Sequence, residues 1–209
     1  ITGEFPDPVE IVLPRGQRVS FAIAKEHLTK MSATAAVIKD AGDDPDVTHG
    51  ALIEVTVSLD DSVSGIIFRS GRGVGTVTKA GLPIGVGEPA INPVPREMIK
   101  RAIMEVSEEA SNVSGVVVEI SIPGGEEIAL KTWNPRLGIV GGLSILGTTG
   151  VFVPFSFSVW IHPIHLGIYL AWANNVVHAG PGHGSTYEAA SRLKYQPHDR
   201  SRLDSGCFL

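Results

Sequence analysis

The stretch Pro95 to Ala110, PREMIKRAIMEVSEEA, decides the fold class, because its periodicity is helical while the segments around it read as strands. Met98, Ile99, Ala102, Ile103, Val106 and Ala110 recur at spacings of three and four and share a face. Arg96, Glu97, Lys100, Arg101, Glu105 and Glu109 fall elsewhere on the same helix. Pro95 belongs near the first turn, where its missing N–H leaves no helical bond unmade. Working outward, Val9 to Leu13 and Leu52 to Leu59 (LIEVTVSL) alternate in hydrophobicity, and Ala35–Ile38, Gly65–Phe68, Val116–Ile122 and Ile128–Leu130 are further strand candidates. Pro14-Arg15-Gly16 and Pro123-Gly124-Gly125 supply turn chemistry. Strands on both sides of a helix predict a mixed α/β (α+β) fold, a mixed sheet with hairpins and packed helices, rather than a bundle or a sandwich.

The chain has 209 residues, enough to bury a core without disulfides. Its 24 Gly and 14 Pro make a turn-rich folded protein, short of the composition that marks disorder. A net charge of −5 argues against a chain whose main task is to neutralise phosphates, so no nucleic-acid partner is expected. Cys207 has no second cysteine to pair with, which fits a reducing, cytoplasmic setting. The chain opens Ile1-Thr2-Gly3-Glu4, with neither a methionine nor a secretory pattern, and reads as a piece of a longer protein. Near Gly150 the composition changes: residues 151–209 hold 7 of the 39 charged residues but 9 of the 13 aromatics, so the two parts are read separately. Val153 to Ala173 is apolar enough to test as a membrane span, but Pro154, Pro163, His162 and His165 speak against it, and no membrane partner is expected.

Four polar segments exceed what core packing requires. In Lys39 to Gly50, the carboxylates Asp40, Asp43, Asp44 and Asp46 repel one another and sit beside His49. The segment reads as a solvated turn, a substrate or proton-handling loop, or a hard-metal loop, though its spacing lacks the alternate ligands of a calcium site. Arg69 to Lys79 sets glycines at alternate positions among Arg69, Arg72 and Lys79; it is either a bare hairpin or an anion site, and not a dinucleotide fingerprint. Gly87 to Arg96 carries three prolines into the helix, as a rigid connector or as a way to present Asn92 and Arg96 to a carboxylate. Lys131 to Gly150 is an apolar run broken by Gly141, Gly142, Gly147 and Gly150, fitting either close approach to a ligand or a tight crossover.

In this order, KDAGDDPDVTHGALI, GRGVGTVTKAGL, GEPAINPVPREMI and KTWNPRLGIVGGLSILGTTG resemble the cobalt-precorrin-5B C(1)-methyltransferase family of cobalamin biosynthesis, as does the opening GEFPDPVEIVLPRGQRVSF. The resemblance covers about residues 1–150. It implies an S-adenosyl-L-methionine-dependent methyl transfer to carbon 1 of a cobalt tetrapyrrole, with cobalt present only in the substrate and no metal site on the protein. The family's usual first segment is absent, and residues 151–209 are expected to be a divergent, frame-shifted or poorly folded remnant of a second, Rossmann-like half. A binding module without transferase activity is the alternative, and a homodimer stays open. For substrate carboxylates the resemblance points to Arg69, Arg72, Lys79, Asn92, Arg96, Lys131, Asn134 and Arg136, with Arg72, Arg96 and Arg136 foremost. It makes Asp40, Asp43, Asp44, Asp46 and His49 the proton-handling candidates and Gly141, Gly142, Gly147, Thr148 and Thr149 the donor contacts.

Overall fold

The alternating LIEVTVSL segment becomes β5 (Leu52–Leu59), the central strand of a five-stranded sheet in the computed structural model. Residues 3–43, 46–109, 115–146, 165 and 167–175 are described. A hairpin of β1 (Val9–Val12) and β2 (Arg18–Phe21) stands apart from that sheet. The sheet order is β3 (Lys25–Leu28), β4 (Ser32–Ile38), β5, β9 (Gly115–Ser121) and β6 (Gly65–Ser70). All neighbours are antiparallel except β6 and β9, which run parallel. A parallel pair needs a crossover. The connection contains the short strands β7 (Gly73–Val74) and β8 (Thr76–Val77) and then helix α1 (Pro93–Glu109). After β9 come the short helix α2 (Gly125–Ala129) and strands β10 (Ile139–Val140) and β11 (Gly142–Leu143), which pair with β8 and β7.

One sheet face is the core. Val116, Val118 and Ile120 of β9 are buried, Ile53, Val55 and Val57 of β5 lie beside them, and Ile99 and Ile103 of α1 pack against that cluster. Each fully buried Val or Ile contributes about 1.5–3 kcal/mol, so this face dominates the local energetics. The opposite face is mostly polar, with Val117 of β9 buried beside Ile67 at one end of it. Register sets His27, Thr34, Thr56, Glu119 and Arg69 in one row across all five strands. In the next row Lys25 Nζ reaches Glu54 Oε1 at 2.6 Å, spanning β4 at Ala36, whose 1% exposure follows from that bridge. The ion pair itself adds at most about 1 kcal/mol.

The structure bears out the mixed α/β class and most of the expected strands. Ile128–Leu130, expected as a strand, instead closes α2 and the turn after it. Gly124 enters with a left-handed φ of 78°, and Glu126 and Glu127 occupy the first turn, where the helix dipole favours acids. A three-residue apolar run carries no period of its own, so its neighbours decided its state. The strands β2 and β3 went unpredicted because they are short and mostly exposed. Among the described residues no helix is long and apolar enough to cross a membrane. Residues 167–173 are helical, with Leu170 and Ala171 buried, and Asn174 Nδ2 donates to Ala80 O at 2.9 Å. A side chain on Gly81 would stand 2.8 Å from Leu170 Cα, so that glycine admits the helix.

A close backbone approach joins β7 to β11. A Cβ on Gly142 would stand 2.2 Å from the Gly73 carbonyl oxygen, and backbone cannot yield as a flexible side chain can. Gly142→Ala is therefore expected to lower stability by about 1–3 kcal/mol, read as a shifted midpoint in urea unfolding.

Candidate functional site

The strand directions bring three of the four polar segments to one end of the sheet. β4 leaves and β5 enters there, so Lys39 to Gly50 caps that end as the connection between them. Glu54 pairs with Ser121, so β9 finishes at the same end, and Ser70 beside Ile120 puts the end of β6 there too. Loops at the carboxyl ends of parallel strands are where open α/β sheets usually bind ligands.

Backbone hydrogen bonds then weave the second, third and fourth segments together. Gly75 N–H donates to Leu143 O and Ala90 N–H to Gly75 O, both at 2.8 Å. Gly87 N–H donates to Val77 O, Ile145 N–H to Ala90 O and Asn92 N–H to Ile145 O. Residues 87–91 thus run as a strap between β8 and the end of the fourth segment. Gly73, Gly75, Gly125 and Gly142 permit this, since a Cβ on any of them would lie within 3 Å of a neighbouring segment. Packing alone therefore accounts for Gly142. Gly141, exposed with φ 88°, has open space where a side chain would be. Gly147, Thr148 and Thr149, the other expected donor contacts, lie outside the described residues, as does Asp44.

The basic candidates separate into distinct settings. Thr78 donates to Gly138 O through both its N–H and its hydroxyl at 2.7 Å, which lays the Lys79 stem against Gly138. The guanidinium of Arg136 stacks on Trp133, 4.2 Å from the ring centroid. Lys79, Lys131 and Arg136 therefore share the 131–138 loop region, with Lys79 and Lys131 exposed. Trp133, which sequence reasoning passed over, presents an aromatic face there at 39% exposure. Its place next to Asn134-Pro135-Arg136 was the available signal. Arg72 is 77% exposed on its side chain, 3.6 Å from Glu126, and Arg69 is exposed on the edge strand β6.

Three candidates turn inward instead. Asn134 is buried; its Nδ2 donates to Gly142 O at 3.1 Å and its Oδ1 accepts from Ser144 at 3.2 Å, so it clamps β11. Asn92 Nδ2 donates to Leu146 O at 3.3 Å. Arg96 donates to Ile91 O at 2.8 Å and Pro89 O at 3.0 Å, pairs with Glu88 at 2.8 Å, and lies over the Phe68 ring. Its first task is to pin the strap to α1. Beneath that strap a cleft of about 220 Å³ opens beside the first turns of α1.

In the acidic loop the charge repulsion is resolved by hydrogen bonds. Asp46 accepts from the Lys39 ammonium, from the Thr48 N–H at 2.8 Å and from the Thr48 hydroxyl at 2.7 Å. Burial pushes its carboxyl pKa up, but these bonds outweigh burial and hold it below the ordinary value near 3.8. Asp40 accepts from Gly42 N–H at 2.8 Å. His49 Nδ1 accepts from Ala41 N–H at 3.1 Å while lying 3.7 Å from Asp40 Oδ1. An accepting Nδ1 cannot donate to Asp40, so neutral His49 carries its proton on Nε2. Asp43 is exposed and makes no side-chain bond among the described residues. Among those residues no group of three His, Cys, Asp or Glu converges to hold a metal. Because folding lowers the Asp46 pKa, its contribution is complete above the ordinary value and fades as pH falls through the folded one. Asp46→Asn is expected to cost about 0.5–1 kcal/mol at pH 7, with the difference shrinking as pH falls through the carboxylate range in unfolding titrations.

The chain is 57% identical over 208 residues to a cobalt-precorrin-5B C(1)-methyltransferase of Bradyrhizobium sp. (strain BTAi1), covering 100% of this chain and 55% of that one. It is 55% identical over 208 residues to the protein of the same name in Brucella anthropi, covering 100% and 56%. The chain thus spans about half the length of the curated relatives it matches. A 1.9 Å crystal structure of a cobalamin biosynthesis protein (cbiD) from Archaeoglobus fulgidus superposes with a TM-score of 0.52 at 27% identity, over 97% of this chain and 60% of that one. The CbiD family model matches residues 1–154, and the chain belongs to the CbiD family.

Proposed function

We propose that this chain forms the substrate-holding part of an S-adenosylmethionine-dependent enzyme that methylates carbon 1 of cobalt-precorrin-5B, an anionic cobalt tetrapyrrole. The observation that carries the reading is the match of the whole chain to named methyltransferases at 55–57% identity. The geometry supports it chemically. A conjugated macrocycle with carboxylate arms calls for a flat apolar contact ringed by cations. Trp133 with Arg136, Lys79 and Lys131 supplies that combination on a protein whose net charge is −5.

S-adenosylmethionine, when bound, supplies a methyl group already activated as a sulfonium. The macrocycle contributes the electron pair for the new carbon–carbon bond, the pair of the broken sulfur–carbon bond stays on sulfur, and a proton leaves the macrocycle to restore its charge. The protein's work is to align the reacting carbons, exclude water and accept that proton. In the acidic loop Asp46 is committed to Lys39 and Thr48, and neutral His49 has its acceptor nitrogen occupied by Ala41. Asp40 and Asp43 are the described groups left to take a proton. Because the chain spans 55% of its relative, a second reading stands beside the first: a tetrapyrrole-binding module that needs the remaining length for transfer.

Methyl-labelled S-adenosylmethionine incubated with the chain and cobalt-precorrin-5B, with the Bradyrhizobium relative as reference, separates the two. Label in the tetrapyrrole establishes transfer; tetrapyrrole binding without label establishes the module; neither result would refute both. Arg136→Gln and Lys79→Gln are each expected to weaken tetrapyrrole binding about fivefold to thirtyfold, as loss of one charge-assisted contact of about 1–2 kcal/mol requires, measured by fluorescence titration.

A further inference from the structure

The cleft under the strap differs in charge from the 131–138 loop. Ile84 and Ile91, both buried, form its apolar side, and Glu88, Arg96, Glu97 and Lys100 form its polar side. Two acids face two bases, already paired as Arg96 with Glu88 at 2.8 Å and Lys100 with Glu97 at 3.1 Å. Such a lining has no net charge. A polycarboxylate arm would meet two carboxylates there, so Arg96 is poorly placed as the anchor for substrate arms that its sequence setting implied.

We propose that this cleft binds the zwitterionic α-amino-acid end of the methyl donor, an inference that rests on the methyltransferase reading above. A zwitterion carries one carboxylate and one ammonium on a single carbon, and it can enter by exchanging ion pairs. Its carboxylate takes Lys100 and Arg96, its ammonium takes Glu97 and Glu88, and no charge is left without an opposite partner. Arg96 is held ready for this by its bonds to Ile91 O and Pro89 O and by the Phe68 ring beneath it. Lys100, with a 39% exposed side chain, is held only by its ion pair with Glu97 among the described residues, the pair that a zwitterion would exchange.

Size agrees with charge. At about 220 Å³ the cleft falls below the 300–1,000 Å³ typical of drug-sized sites, so it accepts an amino-acid end and leaves the nucleoside outside. The strap pairs with β8 at Pro89 and Thr76, and β8 pairs with β10, which follows the Trp133–Arg136 loop. Two strand spacings of about 4.8 Å therefore separate the cleft from that side of the molecule, roughly 10 Å, a gap to be closed jointly by the short chain between the donor's amino-acid carbon and its sulfonium methyl and by the width of the macrocycle.

The test is calorimetric titration of the purified chain with S-adenosylhomocysteine and with 5′-methylthioadenosine, which keeps the nucleoside and thioether but lacks the amino acid. The wild-type chain is expected to bind S-adenosylhomocysteine at least tenfold more tightly. Glu97→Gln and Lys100→Gln are each expected to weaken it threefold to thirtyfold, with methylthioadenosine binding and thermal midpoint unchanged. Both side chains are outside the core, so folding is not at stake. Variants that bind S-adenosylhomocysteine as the wild type does would overturn the cleft alone. A wild-type chain that binds none would overturn the cleft together with the donor half of the functional reading, whereas tetrapyrrole binding would still decide the substrate half.

Discussion

The close contact between the backbones of Gly73 and Gly142 is the constraint on which the site depends. A Cβ at Gly142 would lie 2.2 Å from the Gly73 carbonyl oxygen, and one at Gly73 would lie 1.9 Å from Ile122 O, so glycine at 142 admits β7 and glycine at 73 admits the end of β9. That contact joins β7 to β11, and Asn134 reinforces it by donating to Gly142 O. Once β7 and β11 are joined, β8 lies against β10 and the 87–91 strap is drawn between β8 and Ile145. Three segments far apart in the chain thus become one surface. Their glycines serve backbone packing first, and the candidate surfaces are built from what projects around them.

Electrostatics then divides that surface. Lys79, Lys131 and Arg136 beside Trp133 make a local positive region on an acidic protein, suited to a polyanion with a conjugated face. The cleft under the strap is balanced, two acids against two bases, and suits a zwitterion. The acidic loop makes a third environment, in which hydrogen bonds answer the mutual repulsion of its described carboxylates. A substrate, a donor and a released proton place different charge demands on a protein, and the three environments differ in those terms.

Much of the fold was legible in the residues. LIEVTVSL reads as a strand half facing the core, and β5 is one; Ile99 and Ile103 mark the inner face of α1. Where the chain lacks its own period the reading failed, as at Ile128–Leu130, which α2 absorbed, and at the short exposed strands β2 and β3. For the site, the resembling motifs pointed to Lys79 and Arg136 as ligand candidates but also to Arg96 and Asn134, whose polar groups face the protein's own backbone. Residue type cannot tell an arginine that binds a carboxylate from one that binds two carbonyl oxygens. Glu88 and Lys100 went unremarked because each is ordinary by itself, and only their convergence gives them a role.

By itself the sequence determined most of the secondary-structure periods, the mixed α/β class, the family and the four candidate segments, because these rest on local residue order and side-chain chemistry. The tertiary structure decided which charges meet. Whether a basic side chain lies among like charges, against an acid or under a carbonyl depends on strand register and on how closely two backbones can approach, and those are relations between residues more than sixty positions apart, as between Gly73 and Gly142.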